Sequence, residues 1–217
     1  MAQIAVIGIS SFGYYLARKL AELGSEVLVV DCDEEKVDTI KAYVTKAVVA
    51  DATDKRTLKQ LGLSNMDAVV LSMGSQMESS IISALHLKEM EVKKIVAKSL
   101  SEDHSKILEL LKVDRIVFPE RDMGERMATS LQGRNIADYL PLGSGISIVE
   151  MVPTEEMIGK TLTELEFRSR YKAQVMAIKK KEPEEDTFIP EPSTKIKRGH
   201  LLFVLGKDDD LERFRKE

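Results

Sequence analysis

Short apolar runs alternate with amphipathic stretches over the first 118 residues of the chain. The runs are rich in valine and isoleucine and are apolar at consecutive positions, which is typical of parallel strands buried on both faces. They cover residues 4–7, 27–30, 47–49, 68–71, 95–97 and 116–118. Residues with helical spacing lie between them, at 15–23, 81–90 and 104–111. This alternation predicts βαβ units with right-handed crossovers and therefore a doubly wound parallel sheet.

The pattern changes after Pro119. Residues 121–139 place Met123, Met127, Leu131 and Ile136 near one face, and they predict a single amphipathic helix. The proline and glycines of residues 141–145 end it. A small α/β lobe is predicted beyond, with strands at 146–152, 174–179 and 201–205, helices at 161–165 and 209–216, and a charged loop at 181–192. We therefore expect three segments: a sheet lobe at 1–120, a helix at 121–140, and a small lobe at 141–217.

Composition and charge exclude several classes of function. The chain has 217 residues and a formal net charge of −4, so it has no global basic field to attract nucleic acid. A single cysteine rules out an internal disulfide and a thiolate zinc cluster, and the three histidines share no metal-ligand spacing. No apolar run approaches the ~20 residues of a membrane span, and the N-terminus lacks the features of a signal peptide. We expect a cytoplasmic protein without a metal site, for which any role at a membrane must come through a partner.

The strongest chemical signal is the string Gly8-Ile9-Ser10-Ser11-Phe12-Gly13, which joins the first predicted strand to the first predicted helix. Glycine permits a tight turn there, and the helix N-terminus offers partial positive charge to a pyrophosphate. Asp31, at the end of the next strand, can accept hydrogen bonds from ribose hydroxyls and disfavours a 2′-phosphate. The pattern predicts a Rossmann-like nucleotide site. Ser10 replaces the expected middle glycine, so the alternative is a doubly wound fold whose nucleotide site is weakened or unused.

Further polar and small residues follow the ends of successive predicted strands. Ligands of open α/β sheets bind outside the carboxyl ends of the strands, so we expect these residues to share one crevice. Taken singly, Asp51, Ser72 and Ser99 are better explained as helix-capping or turn residues, and it is their recurrence after successive strands that favours a shared site. The candidates beyond the first turn are Asp31, Cys32, Asp51, Ala52, Ser72, Met73, Gly74, Lys98 and Glu120.

Several strings of this sequence resemble the RCK domains of bacterial Ktr and Trk potassium uptake systems (TrkA/KtrA-like). They are residues 4–33, 51–54 and 117–124 in the first part of the chain, and 190–199 and 202–206 in the last part. The resemblance covers essentially the whole chain, and Pro-Glu-Arg-Asp-Met-Gly at 119–124 is its most specific motif.

The resemblance implies a regulatory subunit rather than an enzyme. Such subunits sense nucleotides, form rings of homodimers at the inner face of the membrane, and gate a potassium channel or transporter. The resemblance implies that the helix at 121–140 is a crossover and dimerisation helix. By this match the phosphates are lined by Gly8, Ser10, Phe12 and Gly13, and Asp31 holds the ribose. The adenine edge meets Asp51 and Ala52, and the floor of the site is formed by Ser72, Met73 and Gly74, with Lys98 nearby. Glu120 faces the phosphates at the dimer seam.

The resemblance also bears on which ligand is bound. Ser11 stands where many Ktr subunits carry a basic residue, so NAD(H), AMP and ADP become better candidates than ATP. Some relatives bind cyclic di-AMP between two copies of the second lobe. The corresponding residues here are Arg168, Ile189 and Pro190, which serve a dimer interface equally well.

Two other classes of function remain as alternatives. An NAD-dependent oxidoreductase shares the first lobe, although the small second lobe offers no evident acid or base for proton transfer. A ligand-sensing transcription factor ranks last, because no helix-turn-helix segment or basic recognition helix stands out.

Overall fold

The computed structural model describes residues 1–132, 135–180 and 187–216, and it divides into two compact units at Pro119/Glu120. The first unit contains a six-stranded sheet whose strands are all parallel and lie in the order β3-β2-β1-β4-β5-β6. The strands are β1 Gln3–Ile7, β2 Glu26–Asp31, β3 Lys46–Val49, β4 Ala68–Leu71, β5 Ile95–Lys98 and β6 Arg115–Val117. The order reverses direction between β1 and β4, as in Rossmann folds, and confirms the predicted doubly wound sheet.

The central strands are apolar at consecutive positions because both faces of the sheet are covered. In β1, Ala5 and Ile7 belong to one buried cluster, whereas Val6 belongs to a second cluster on the opposite side. All three are at most 1% exposed. The helices that cover the sheet are α1 Ser11–Glu22, α2 Glu34–Ile40, α3 Lys55–Gln60, α4 Met77–Glu89 and α5 Glu102–Leu110, with a short 3-10 helix at Leu63–Asn65.

Side-chain caps fix where four of these helices begin. The side chains of Ser10, Asp33, Asp54 and Ser101 accept backbone N–H groups at the starts of α1, α2, α3 and α5. Each cap satisfies a donor that has no partner within the helix. Helix α4 begins at Met77, and its N-cap residue Gln76 makes no side-chain capping hydrogen bond. Three caps therefore lie directly after β1, β2 and β5, at the edge where a ligand would bind.

The second unit contains a five-stranded antiparallel sheet in the order β10-β9-β11-β8-β7. Its core contains Met151, Ile178, Leu202 and Val204, all fully buried. The strands are β7 Ile136–Gly143, β8 Ile146–Met151, β9 Gln174–Lys179, β10 Thr187–Phe188 and β11 Leu201–Lys207, and the helices are α6 Pro119–Gln132, α7 Phe167–Tyr171, α8 Asp208–Leu211 and α9 Arg213–Lys216. Each of the two units therefore has its own sheet and core.

The prediction of one helix over residues 121–139 is wrong, because α6 ends at Gln132 and β7 begins at Ile136. Ile136 is buried in the core of the second unit, whereas the other apolar positions of the predicted stripe are exposed. Pro141, interpreted as a helix breaker, lies within β7. Since β7 is an edge strand, a proline there need not remove a hydrogen bond of the sheet.

An ion pair joins α6 to β7. The Arg126 guanidinium donates to both carboxylate oxygens of Asp138. Hydrogen bonding to that guanidinium lowers the pKa of Asp138, and the carboxylate raises the pKa of Arg126. The contact fixes the middle of the helix against the edge strand of the sheet within this unit.

Two smaller predictions in the second unit are also corrected. Residues 162–166 form turns, not a helix, because Thr161 pairs with Lys195 in an isolated antiparallel bridge and the helix starts only at Phe167. The predicted terminal helix is divided into α8 and α9. Of the predicted loop at 181–192, residues 181–186 lie outside the described part, and 187–188 form β10. Among the described helices, none has the length and apolarity needed to cross a membrane.

Candidate nucleotide-binding site

A cavity of about 470 Å³ lies at the carboxyl ends of β1, β2, β3 and β4 in the first unit. This is the edge at which doubly wound sheets bind ligands, next to the point where the strand order reverses. The cavity is lined by Ile7, Gly8, Ile9, Ser10, Val30, Asp31, Cys32, Asp33, Lys36, Ala50, Asp51, Ala52, Thr53, Ser72, Met73, Gly74, Ser75, Gln76 and Ser79.

Two glycines of the first turn are required by the geometry. Gly8 has φ +91°, and a Cβ there would collide with the backbone carbonyl of Ser72. Gly13 begins the packing of α1 on the sheet, and a Cβ there would collide with the carbonyl of Gly8 and come within 3.0 Å of the Ser72 hydroxyl. These are the roles of the first and last glycines of a dinucleotide-binding turn: a tight turn and close helix–strand packing.

Ser10, at the middle position of the motif, fits the backbone without strain. Its φ of −73° and ψ of 171° are an extended conformation open to any residue. Its Oγ accepts the N–H of Gly13 at 3.3 Å and lies 2.6 Å from the Ser72 Oγ. The serine therefore caps α1 and joins the β1–α1 turn to the end of β4.

Asp31 connects the same turn to the end of β2. One carboxylate oxygen accepts the N–H of Ile9 at 2.5 Å, and the other accepts the N–H of Asp33 at 3.0 Å. The residue is 9% exposed and lines the cavity. Each carboxylate oxygen has a second lone-pair site, so Asp31 can hold the turn and still accept hydrogen bonds from ligand hydroxyls.

The charged side chains that line the cavity are mostly acidic. Asp31, Asp33 and Asp51 stand against a single base, Lys36, whose ammonium lies 3.7 Å from Asp33. Asp51 accepts the N–H and the hydroxyl of Thr53 at 2.8 and 2.7 Å. Because the lining has a formal charge of −2, phosphates bound here must be held mainly by backbone N–H groups and hydroxyls.

The first turn of α4 forms another side of the cavity. Ser75, Gln76 and Ser79 line it, and no side chain caps the helix. Uncapped N–H groups at a helix start carry partial positive charge. This side of the cavity therefore offsets part of the acidic lining.

The cavity brings together nine of the predicted site residues: Gly8, Ser10, Asp31, Cys32, Asp51, Ala52, Ser72, Met73 and Gly74. Other predicted residues lie outside its lining. Ser11 is exposed, Phe12 packs on the core, and Gly13 lies behind the turn. Lys98 is buried at the end of β5, and Glu120 is an exposed residue of α6 in the second unit.

Sequence reasoning missed six polar residues of the lining: Asp33, Lys36, Thr53, Ser75, Gln76 and Ser79. They follow the same strand ends as the predicted residues, and Lys36 and Ser79 lie in the first turns of α2 and α4. The position of Lys36 could have been predicted from Asp33, because a helix-capping residue directly ahead of two glutamates indicates that a helix begins there.

The second unit has a cavity of its own, of about 380 Å³. Of the three residues predicted for a second ligand, Arg168 and Pro190 line this cavity, together with Glu166 and Gln174. Ile189 lies outside the lining, is 72% exposed and has φ +54°. Within the described ranges, no group of three or more His, Cys, Asp or Glu side chains is placed to hold a metal ion.

Comparison with known proteins matches both units to domain families. Residues 4–119 match the TrkA-N domain, and residues 146–217 match the TrkA-C domain. Among solved structures, the GsuK channel superposes with a TM-score of 0.69 over 97% of this chain and 38% of that chain, at 19% identity. That likeness shows the fold.

Curated relatives match over nearly their whole length. The chain is 36% identical to Ktr system potassium uptake protein A of Bacillus subtilis, over 99% of this chain and 96% of that protein. It is 37% identical to protein C of the same system, with the same coverage, and 34% identical to protein A of Vibrio alginolyticus, over 96% and 94%. The chain therefore belongs to the TrkA/Ktr family of potassium uptake proteins, with a TrkA-N domain followed by a TrkA-C domain.

Proposed function

We propose that this protein is a cytosolic, nucleotide-sensing regulatory subunit that gates a membrane potassium channel or transporter of the Ktr or Trk type. The observation that carries the proposal is the cavity of the first unit, in which Asp31 holds the Gly8–Gly13 turn while facing the ligand space. A carboxylate at the end of β2 suits ribose hydroxyls, and the turn suits a phosphate. The close relatives that are named as potassium uptake proteins support the regulatory setting.

The ligand is an adenine nucleotide with few charges at its phosphate end. The lining has three acids and one base, and Ser11 is exposed rather than directed into the cavity. A terminal phosphate would therefore meet repulsion with no side-chain cation at the turn. We expect NAD(H), AMP or ADP to bind more tightly than ATP.

Calorimetry with the purified chain tests this assignment. AMP, ADP, ATP and NADH are titrated separately, and mass spectrometry identifies any nucleotide that copurifies. Binding of at least one adenine nucleotide, with ATP the weakest in the absence of a divalent cation, supports the proposal. No binding by any of the four would overturn it.

A regulatory role, not catalysis, fits the chemistry of the lining. The carboxylates of Asp31, Asp33 and Asp51 all accept backbone N–H groups, which gives each of them a structural role in its turn. The rival function is an NAD-dependent oxidoreductase. Incubation of the protein with NADH and a panel of small carbonyl compounds separates the two, since turnover at any useful rate would favour the enzyme.

Assembly through α6 is the second part of the proposal. Met123, Met127 and Leu131 are 53%, 49% and 80% exposed, and no residue of this helix is buried in the described chain. An apolar helix face of this kind is suited to cover a second copy. We propose a homodimer that assembles further into a ring beneath its membrane partner.

Light scattering of Leu131→Glu tests the dimer. A charge in an apolar interface should shift the mass toward the monomer, whereas Leu23→Glu, at a leucine that is 71% exposed after α1, should leave it unchanged. A parent that is monomeric at micromolar concentration with nucleotide present would contradict the assembly.

Coupling to the pore is proposed to run through Glu120. Glu120 does not line the cavity of its own chain, and the family resemblance places it against the phosphates at the dimer seam. A carboxylate in that position is repelled by phosphates unless a cation or a hydrogen-bond donor intervenes, so its energy depends on the ligand. Shifting a two-state ring from 1:99 to 99:1 needs ~5.5 kcal/mol in differential binding, which several sites can share. Glu120→Gln should preserve assembly and flatten the difference between nucleotides in potassium flux through the reconstituted transporter. Unchanged discrimination would exclude Glu120 as the sensor.

The cavity of the second unit is a candidate site for a second ligand. Its lining combines Arg168 with apolar, proline and uncharged polar side chains and one acid, Glu166. The guanidinium suits a phosphate, and the apolar surface suits a flat base. We propose cyclic di-AMP as the ligand. Arg168→Ala should weaken its binding in calorimetry, whereas Arg170→Ala, outside the lining and paired with Glu156, should not. Equal effects of the two changes would count against the site.

A further inference from the structure

The hydroxyls of Ser10 and Ser72 meet beside the nucleotide cavity, with their oxygens 2.6 Å apart. Both residues border the cavity, but Ser72 has no exposed surface, whereas Ser10 is partly exposed. The distance alone allows either hydroxyl to be the donor. The other hydrogen bonds of the two groups decide the direction.

Ser72 has one hydrogen-bond partner for its side chain in the part of the chain that the structure describes, and that partner is the Ser10 hydroxyl. If Ser10 donated, the proton of the fully buried Ser72 would have no acceptor, which costs the full desolvation penalty of that group. If Ser72 donates, no proton is left unsatisfied in the interior. Ser72 is therefore the donor.

The lone pairs of Ser10 are then both in use. Its Oγ accepts the O–H of Ser72 and, at 3.3 Å, the N–H of Gly13. A serine hydroxyl has two acceptor sites and one proton, so Ser10 can engage a ligand only as a donor. Its exposed side is the cavity, at the N-terminus of α1.

We propose that Ser10 donates its hydroxyl proton to a phosphate oxygen of the bound nucleotide, and that Ser72 is a positioning residue that holds Ser10 in the donor orientation. This inference rests on the proposed adenine-nucleotide function. An unprotonated phosphate oxygen is purely an acceptor, so it matches a hydroxyl whose acceptor sites are filled. A glycine at this position would let the backbone approach the phosphates more closely, and the hydroxyl donor of Ser10 compensates for the loss of that approach.

The test compares ADP with adenosine in calorimetry, because only ADP carries phosphates. Ser10→Ala keeps the Cβ and removes the donor, so it should weaken ADP binding roughly tenfold or more. Adenosine affinity should change by less than about threefold, since no lost contact involves the nucleoside. Ser10→Thr keeps a hydroxyl and a cap and should stay close to the parent.

Ser72→Ala reports the direction of the hydrogen bond. Loss of its proton frees an acceptor site on Ser10 and removes the constraint on rotation, so ADP should bind a few-fold more weakly, and Ser72→Thr should restore the affinity. In the reverse arrangement Ser72→Ala would liberate the Ser10 proton and tighten ADP binding. Tighter binding would therefore overturn the inference.

Two outcomes separate this inference from the proposed function. If the parent binds ADP but Ser10→Ala lowers ADP and adenosine affinity equally, or neither, Ser10 does not contact phosphate and only the inference fails. A parent that binds neither ADP nor adenosine defeats the proposed function and the inference together. Thermal unfolding of each variant, measured without nucleotide, shows whether a weakened cap on α1 accounts for lost binding.

Discussion

Asp31→Asn is the sharpest test of the nucleotide site, because the two residues have the same shape and differ in charge and in one hydrogen-bonding atom. The parent carboxylate accepts two backbone N–H groups, one on each oxygen. An asparagine can accept only one of them, since its other terminal atom is itself a donor. The substitution therefore affects both the turn and any ribose hydroxyl held by this residue.

The expected size of the effect follows from the contact that is lost. A hydrogen bond to a charged group contributes about 1.5–3 kcal/mol, and 1.4 kcal/mol is a tenfold change, so NADH should bind roughly 10- to 150-fold more weakly. NADPH carries a phosphate in place of one ribose hydroxyl. Removing the Asp31 charge removes repulsion of that phosphate, so NADPH should be weakened less than NADH or should gain affinity.

The measurement is the ratio of NADH to NADPH affinity, by calorimetry, in the parent and in the variant. Asp33→Asn is the matched control. It also removes one charge from the cavity lining, and asparagine caps a helix as well as aspartate does. The ratio should fall in Asp31→Asn and stay near the parent value in Asp33→Asn.

One result would refute the reasoning. If Asp31→Asn weakened NADH and NADPH by the same factor, the residue would act only through the N–H of Ile9, by holding the turn. The ribose assignment would then be wrong, even though binding fell. Denaturant unfolding of the variant without ligand measures the cost to the turn separately.

Two further predictions concern stability. Lys112 follows the C-terminus of α5 with φ +56°, and its N–H donates to the carbonyl oxygen of Glu109 at 2.8 Å. Because glycine adopts this conformation without strain, Lys112→Gly should raise the free energy of unfolding in urea by up to about 1 kcal/mol. Lys94→Gly, at an exposed lysine outside the left-handed region, should not. His104 is fully buried, its Nδ1 accepts the N–H of Leu100 at 3.2 Å, and burial lowers its pKa below the ordinary value of 6.5. The unfolded chain therefore takes up a proton first as the pH falls below that value, so stability is lost toward acid. His104→Gln should flatten this slope between roughly pH 7 and pH 5 in urea titrations, and an unchanged slope would assign it to other groups.

Burial on both faces made the first sheet predictable from sequence. In β1 and β2 nearly every position is apolar, so the strands stand out whatever their neighbours are. Helix α2 was missed because it has only seven residues and buries only Val37 and Ile40. A pattern of two apolar residues is too short to show a period, and the capping Asp33 was the better signal.

The second unit was less predictable because its elements depend on partners that are distant in sequence. The hydroxyl oxygens of Tyr139, in β7, and Ser147, in β8, lie 2.8 Å apart, and the Ser147 hydroxyl donates to the carboxylate of Asp208 at 2.6 Å. One buried serine therefore joins three segments of the chain. The local sequence pattern of residues 136–143 gives no indication of these contacts. The candidate site divides in the same way. The sequence pattern located the site residues that follow the ends of buried strands. Locating Lys36 and Ser79 would also have required knowing where the next helix begins.

The backbone of the first turn has a consequence for how related sequences are recognised. Gly8 and Gly13 have no room for a side chain, whereas Ser10 has an ordinary backbone conformation. Its hydroxyl also caps α1, which a glycine at this position could not do. A search pattern that demands all three glycines would pass over chains of this kind. A pattern that keeps the outer two and admits any small helix-capping residue between them describes what the geometry tolerates, and it would recover such divergent members.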